Sequence, residues 1–233
     1  MEFRPYENRE ELHKAIYQCE KCPNAGFSMQ RVQPPWDPSR GSSATQKWAM
    51  IIGQAPGITE FERSKKTIVD AGRNSKVDKT SGAPIAFSGE AGQRLERWFI
   101  EDAGFKQAQV RSLFAKTSIV KCYPGRPPKT KTDRKPGRKE IEFCSPFLYE
   151  QIRIYDPTVL IPVGTVAVKW FFPEVGKLAE IIGKRRNWQY ADKQFPVVCL
   201  PHSSNASNWW KVNEPLRRKA LNHIAELRRQ AAL

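Results

Sequence analysis

Short apolar runs alternate with segments of helical spacing along most of this chain. Residues 10–17 place Leu12, Ala15 and Ile16 on one helical face, which predicts a short helix delivering the chain to Cys19 and Cys22, with that pair in a turn. Residues 48–52 form an apolar run ending at Gly53, a strand that stops in a Gly/Pro loop. Residues 64–82 are polar, basic and nearly free of large apolar side chains, the signature of a surface loop with few core contacts. Leu95, Trp98, Phe99 and Ala103 fall at helical spacing within 89–104, and 114–122 reads as a second buried strand. The stretch 126–139 has no periodic apolar face and is rich in Pro, Gly, Lys and Arg, as a phosphate-facing loop would be. An amphipathic helix over 140–155, a strand over 158–163 ended by Gly164, and a helix over 166–172 follow. A last strand over 195–200 delivers Pro201 and His202, and 215–227 is a closing helix that tolerates Pro215 in its first turn.

No internal repeat is visible, and the length fits one domain over residues 1–233. Strands alternating with helices predict a three-layer α/β/α sandwich around a central, mostly parallel four-stranded sheet. Its site is expected at the carboxyl ends of the strands.

Charge narrows the partner. The chain carries 39 Lys and Arg against 24 Asp and Glu, a formal net charge of +15, which attracts a polyanion and points to nucleic acid. No apolar run approaches the roughly eighteen residues a membrane helix needs, and the start Met1-Glu2-Phe3-Arg4-Pro5 lacks a signal peptide's basic and apolar segments. The expectation is a cytoplasmic protein, monomeric by default, with no membrane partner. In a reducing compartment five cysteines are read as metal or redox chemistry rather than disulfides, and an odd count fits four ligands plus one. Cys199, inside an apolar strand, is the one read as plain core.

Several segments, in order, resemble one family. Gly53-Gln54-Ala55-Pro56-Gly57, then Ala86-Phe87-Ser88-Gly89-Glu90-Ala91-Gly92 with Leu95, are similar to the first motif of the iron-sulfur (family four) uracil-DNA glycosylases. Val120-Lys121-Cys122, Cys144-Ser145-Pro146-Phe147-Leu148, Gln151-Ile152, Pro157, Gly164-Thr165-Val166-Ala167 and a motif around His202 follow in that family's order, covering most of the chain. A lone Gly/Pro loop is weak evidence; the ordered series with four cysteines is not.

The resemblance implies a DNA glycosylase of base excision repair that flips uracil or a related deaminated base out of DNA and hydrolyses its glycosidic bond without lyase chemistry. Cys19, Cys22, Cys122 and Cys144 stand where that family ligates a [4Fe-4S] cluster, although four thiolates suit zinc equally on ligand chemistry alone. Phe87 stands at the stacking aromatic, and backbone amides of Gly53, Ala55 and Gly57 would approach the base or a phosphate. His202 stands at the motif histidine that donates to the pyrimidine oxygen, and Ser204 at a phosphate-contacting serine. Lys129, Lys131 and Arg134 on the basic excursion are candidate DNA contacts. The sequence departs from the family at three places. Gln54 replaces an acidic residue and can orient water without accepting its proton. Ser118 replaces an Asn and cannot reproduce a two-point amide contact, so discrimination of uracil should weaken. Ser203 replaces a Pro, which predicts a looser loop. Residues 205–210 would lie where the superfamily inserts a wedge, with Trp209 and Trp210 either stacking on bases or packing inside. The alternatives are a non-catalytic iron-sulfur DNA-binding protein that retained the fold, or a zinc-bound structural module.

Overall fold

Four short strands, each parallel to its neighbours among them, set the frame. β1 (Ala49–Gly53) and β3 (Val159–Pro162) are buried at every position, as parallel strands covered on both faces must be. β1 lies between β2 (Phe114–Ser118) and β3, parallel to both, and β3 is parallel to β5 (Lys193–Val198). Ile51 and Ile52 are 1% and 0% exposed, and each contributes about 1.5–3 kcal/mol by burial. The protein is described from a computed structural model over residues 6–30, 48–62, 86–130, 132–204 and 207–231. The predicted loop at 64–82, Lys131, and the first two residues of the 205–210 segment lie outside that range.

Among the described residues the sheet has five strands rather than four, in the order β2-β1-β3-β5-β4. The addition is β4 (Arg185–Tyr190), antiparallel to β5 with Tyr190 opposite Lys193 across a tight turn. Its residues Arg-Arg-Asn-Trp-Gln-Tyr are largely exposed, so it carries no apolar alternation to read. Charged side chains are how an edge strand discourages further pairing. The predicted strand at 114–122 is shorter than expected. After Ser118 the amides of Ile119 and Val120 turn to the carbonyls of Gly53 and Gln54, at 2.9 and 3.1 Å, binding the loops beyond β1 and β2 to each other.

The helices follow the apolar spacing. They are α1 (Arg9–Tyr17), α2 (Lys21–Asn24), α3 (Glu90–Arg97), α4 (Gln107–Leu113), α5 (Arg138–Tyr155), α6 (Thr165–Phe171), α7 (Trp209–Val212) and α8 (Glu214–Gln230). α3 runs on as a π-helical turn, Trp98–Asp102, that buries Trp98 and Phe99. α5 starts earlier than its apolar face because the Glu140 carboxylate reaches back to accept the Gly137 amide. α6 packs on β1 and β3, α8 on β5 and the π turn, and α1 on α5, giving an α/β sandwich. One apolar cluster runs from Leu12 to Ile224 through all five-stranded and helical layers except β4, whose Trp188 and Tyr190 pack on it from outside. Among the described residues no helix is long and apolar enough to cross a membrane.

Candidate active site

The parallel register brings the ends of the strands level. Gly53 pairs with Ser118, and Val163 bridges to Leu200, so the segments leaving β1, β2, β3 and β5 all emerge on one side. They surround a cavity of about 810 Å³, within the range of ligand sites. Gly53, Gln54, Ala55, Gly57, Phe87, Ser118 and His202 all line it, so every predicted catalytic and substrate-binding residue meets there.

Phe87 is held in an unusual pose. Its φ of 57° is left-handed, which costs a bulky residue on the order of 1–3 kcal/mol. The loop is pressed from both sides. The ring sits over Gly53, where an added Cβ would lie 3.0 Å from Cζ, and at Gly92 a Cβ would fall 1.8 Å from the Phe87 carbonyl oxygen. Only glycine allows α3 to start that close to the loop. Glu60 fastens the same region: its carboxylate accepts the Gly57 amide at 3.1 Å and the Gly89 amide at 2.9 Å. Asp133 accepts the Ile58 amide at 3.1 Å, the Tyr123 hydroxyl at 3.0 Å and the Arg126 guanidinium at 2.9 Å. Sequence reading missed both carboxylates, because the Gly89 amide that Glu60 binds and the Ile58 amide that Asp133 binds come close only in the fold.

His202 is fixed in one tautomer. The Ser204 amide donates to Nδ1 at 3.1 Å, and the Ser204 hydroxyl lies 2.8 Å from the same nitrogen. Nδ1 is therefore an acceptor, and the neutral ring carries its hydrogen on Nε2. The ring rests on Gly164, whose φ is +83° and where a Cβ would lie 3.0 Å from Cδ2. Burial lowers the imidazole pKa below its usual value, with a smaller contribution from the Lys135 charge. The result at neutral pH is an uncharged N–H donor.

The looser loop expected at Ser203 is not found. Ser203 is 2% exposed, its hydroxyl donates to the Ala91 carbonyl at 2.6 Å, and its own carbonyl accepts from Arg94. Hydrogen bonds to α3 supply the restraint that a proline ring would otherwise give. Arg94 also lies 5.2 Å over the Trp210 ring, and Trp210 packs on Trp98 with its Nε1 donating to the Ser204 carbonyl at 3.3 Å. Trp210 thus serves the packing of this loop. Ser203→Ala removes one buried bond that steadies the imidazole, about 1 kcal/mol, and is expected to lower kcat roughly fivefold with KM nearly unchanged in steady-state assays.

At the β2 end, Lys121 is fully buried and burial pushes its pKa down to about 8. Its ammonium donates to Thr117 Oγ1 at 3.1 Å, Gln151 Oε1 at 2.7 Å and the Ser118 carbonyl. Its backbone amide donates to Cys144 Sγ at 3.3 Å. Lys121 consequently borders two cavities: the large one and a smaller one lined by Cys19, Cys22, Cys122 and Cys144. The four thiols are free of disulfides, and burial with the nearby Cys144 and Cys19 raises Cys22 to about 11. Among the described residues no group of three or more His, Cys, Asp or Glu donors is placed to hold a metal ion, and the four cysteines line the same small cavity. Cys199 sits apart after β5, 1% exposed, its thiol pushed by burial to about 12.

The basic excursion forms one wall of the large cavity through Arg126, Arg134 and Lys135. Arg134 is committed to Glu140, at 2.7 and 2.8 Å, and to the Pro124 carbonyl. Lys129 is exposed in a turn at φ 67° and is not among the lining residues. Lys135, which sequence reading passed over, is exposed and faces the same space as His202.

Comparison with known proteins agrees with this geometry. The family model for the uracil DNA glycosylase superfamily matches residues 41–225. Type-4 uracil-DNA glycosylase of Pyrobaculum aerophilum is 31% identical over 174 residues, covering 75% of this chain and 69% of the relative. The proteins of the same name from Sulfurisphaera tokodaii and Saccharolobus solfataricus are each 29% identical, over 84% and 91% of this chain and 74% and 81% of their own.

Proposed function

Because the chain belongs to the uracil-DNA glycosylase superfamily, we propose that it is a monofunctional DNA glycosylase that flips uracil or a related deaminated base into the large cavity and hydrolyses its bond to the sugar. The observation that carries this reading is the meeting of the Gly53–Gly57 loop, Phe87 and a neutral, donor-bearing His202 in one space. Phe87 stacks on the extruded base, and the loop amides approach its edge or a neighbouring phosphate.

In the reaction the C1′–N bond breaks and its electron pair leaves with the base. A water oxygen bonds to C1′ in its place; that water's proton passes to solvent, and the base anion takes one back. The departing charge collects on a carbonyl oxygen of the base, where the His202 Nε2–H is the preorganised donor. Gln54 orients the water. Of the three carboxylates that line the cavity, Glu60 and Asp133 serve as acceptors for loop amides. Gln54→Glu is therefore expected to raise the single-turnover rate about tenfold, and no gain would show that water activation is not limiting.

Lys129, Lys131 and Lys135 with Ser204 are proposed to face DNA phosphates, while Arg134 is held by Glu140 in the cavity wall. The thiols of Cys19, Cys22, Cys122 and Cys144 fit a [4Fe-4S] cluster by ligand chemistry: four soft donors line one small cavity, with the Lys121 amide as an outer hydrogen bond to Cys144. Such a cluster supplies structural ligation, tying α2 to the start of the excursion and to α5. We propose that the protein acts as a cytoplasmic monomer. The test is incubation with oligonucleotides containing uracil, hypoxanthine or xanthine, followed by alkali. Strand breakage that appears only after alkali supports hydrolysis without lyase action, and no abasic site from any base would defeat the reading.

A further inference from the structure

We propose that Ser118 meets the flipped base as a hydrogen-bond acceptor only, so that this site selects bases by the N–H they present and by the stability of the departing anion, and takes deaminated purines and acidic pyrimidines alongside uracil. The proposal rests on the glycosylase reading above. A serine hydroxyl has one hydrogen to give. That of Ser118 lies 2.7 Å from the Val120 carbonyl, which cannot donate, so the hydrogen is directed there and only lone pairs face the cavity.

The two buried polar side chains beside it, Thr117 and Lys121, offer no substitute donor. The Thr117 hydroxyl donates to Gln151 Oε1 at 2.7 Å and accepts from Lys121. An ammonium has three hydrogens, and those of Lys121 go to Thr117, Gln151 and the Ser118 carbonyl. At this wall the contact with a base is thus one-sided. Uracil, hypoxanthine and xanthine each present an N–H beside a carbonyl, and Ser118 satisfies the N–H without rewarding the carbonyl. Ser118 and His202 leave the sheet from β2 and β5, with β1 and β3 between them. The anion is met by His202 on the far side, and the cavity is roomy enough for a two-ring base. The chemistry that then ranks substrates is the leaving of the base with the C1′–N electron pair, easier for 5-fluorouracil and xanthine than for uracil and hardest for cytosine.

The test uses full-length, metal-loaded protein and matched duplexes carrying uracil, 5-fluorouracil, hypoxanthine, xanthine or cytosine. Single-turnover rates are measured for the wild type, Ser118→Asn and Ser118→Ala. The wild type is expected to release 5-fluorouracil about tenfold faster than uracil and xanthine within about tenfold of uracil. Ser118→Asn is expected to raise uracil release about tenfold and to lower xanthine relative to it, and Ser118→Ala to slow all lactam bases about tenfold. Equilibrium binding to a duplex with non-hydrolysable 2′-fluoro-deoxyuridine reads recognition apart from rate: it should tighten in Ser118→Asn and weaken in Ser118→Ala. A wild type that favours uracil about a hundredfold over both 5-fluorouracil and xanthine, or a Ser118→Ala protein equal to wild type in rate and binding, overturns the proposal while leaving the glycosylase reading intact. Release of no base by wild type or Ser118→Asn overturns both.

Discussion

Replacement of His202 by alanine is expected to lower the single-turnover rate of uracil release by about 10²–10³-fold, with DNA binding changed far less. The size follows from the proposed role: one preorganised donor at the oxygen where charge develops. The tautomer set by the Ser204 amide makes the pH dependence distinctive. Because burial lowers the imidazole pKa, the neutral form persists below the range of an ordinary histidine. Activity should therefore hold on acidification past pH ~6.5 and fall only as the lowered pKa is crossed, whereas the His202→Ala profile should lack that acidic limb. The same group destabilises the fold in acid, since a depressed pKa gives stability that is present above the unfolded value and lost as pH falls through the folded one. An unchanged rate in His202→Ala would remove the imidazole from the mechanism.

The second large effect is on the fold. Cys144→Ala is expected to abolish the visible absorbance of the purified protein and to lower its unfolding midpoint by roughly 10 °C, the scale of losing a structural metal site from a chain of this size. Cys144 is 8% exposed on α5 and also accepts the Lys121 amide, so its loss disturbs the residue that anchors the β2 end of the large cavity. Cys199→Ala is the control. That thiol is equally buried but stands alone in the core, and its replacement should leave the spectrum intact. Equal spectra for both variants would end the four-thiol assignment.

The parts legible in the sequence were those whose physics is local or strongly periodic. β1 and β3 were readable because strands covered on both faces must be continuous apolar runs, and α5 because Phe147, Leu148, Gln151, Ile152 and Tyr155 fall on one buried face. The motif residues converge on one space because parallel strands place their carboxyl ends together. β4 was missed because an exposed edge strand owes its place to β5 rather than to its own pattern. α4 was missed because only Val110 of its seven residues is buried, too little to make a stripe. Ser203, Glu60 and Asp133 were misjudged or passed over for a common reason. Each binds a backbone group distant in sequence, Glu60 the Gly89 amide, Asp133 the Ile58 amide and Ser203 the Ala91 carbonyl, and nothing in a local pattern announces such a partner.

Phe87 holds its left-handed backbone between Gly53 and Gly92 through contacts made by the protein itself. On the proposed reading a base stacks on a ring whose pose is set by the packing of its own loop against Gly53 and Gly92. The barrier to capture then resides in the duplex, in how easily a pair opens and unstacks. Wobble pairs and frayed ends should be served before well-stacked Watson–Crick neighbours, a sorting performed by the nucleic acid rather than by the protein.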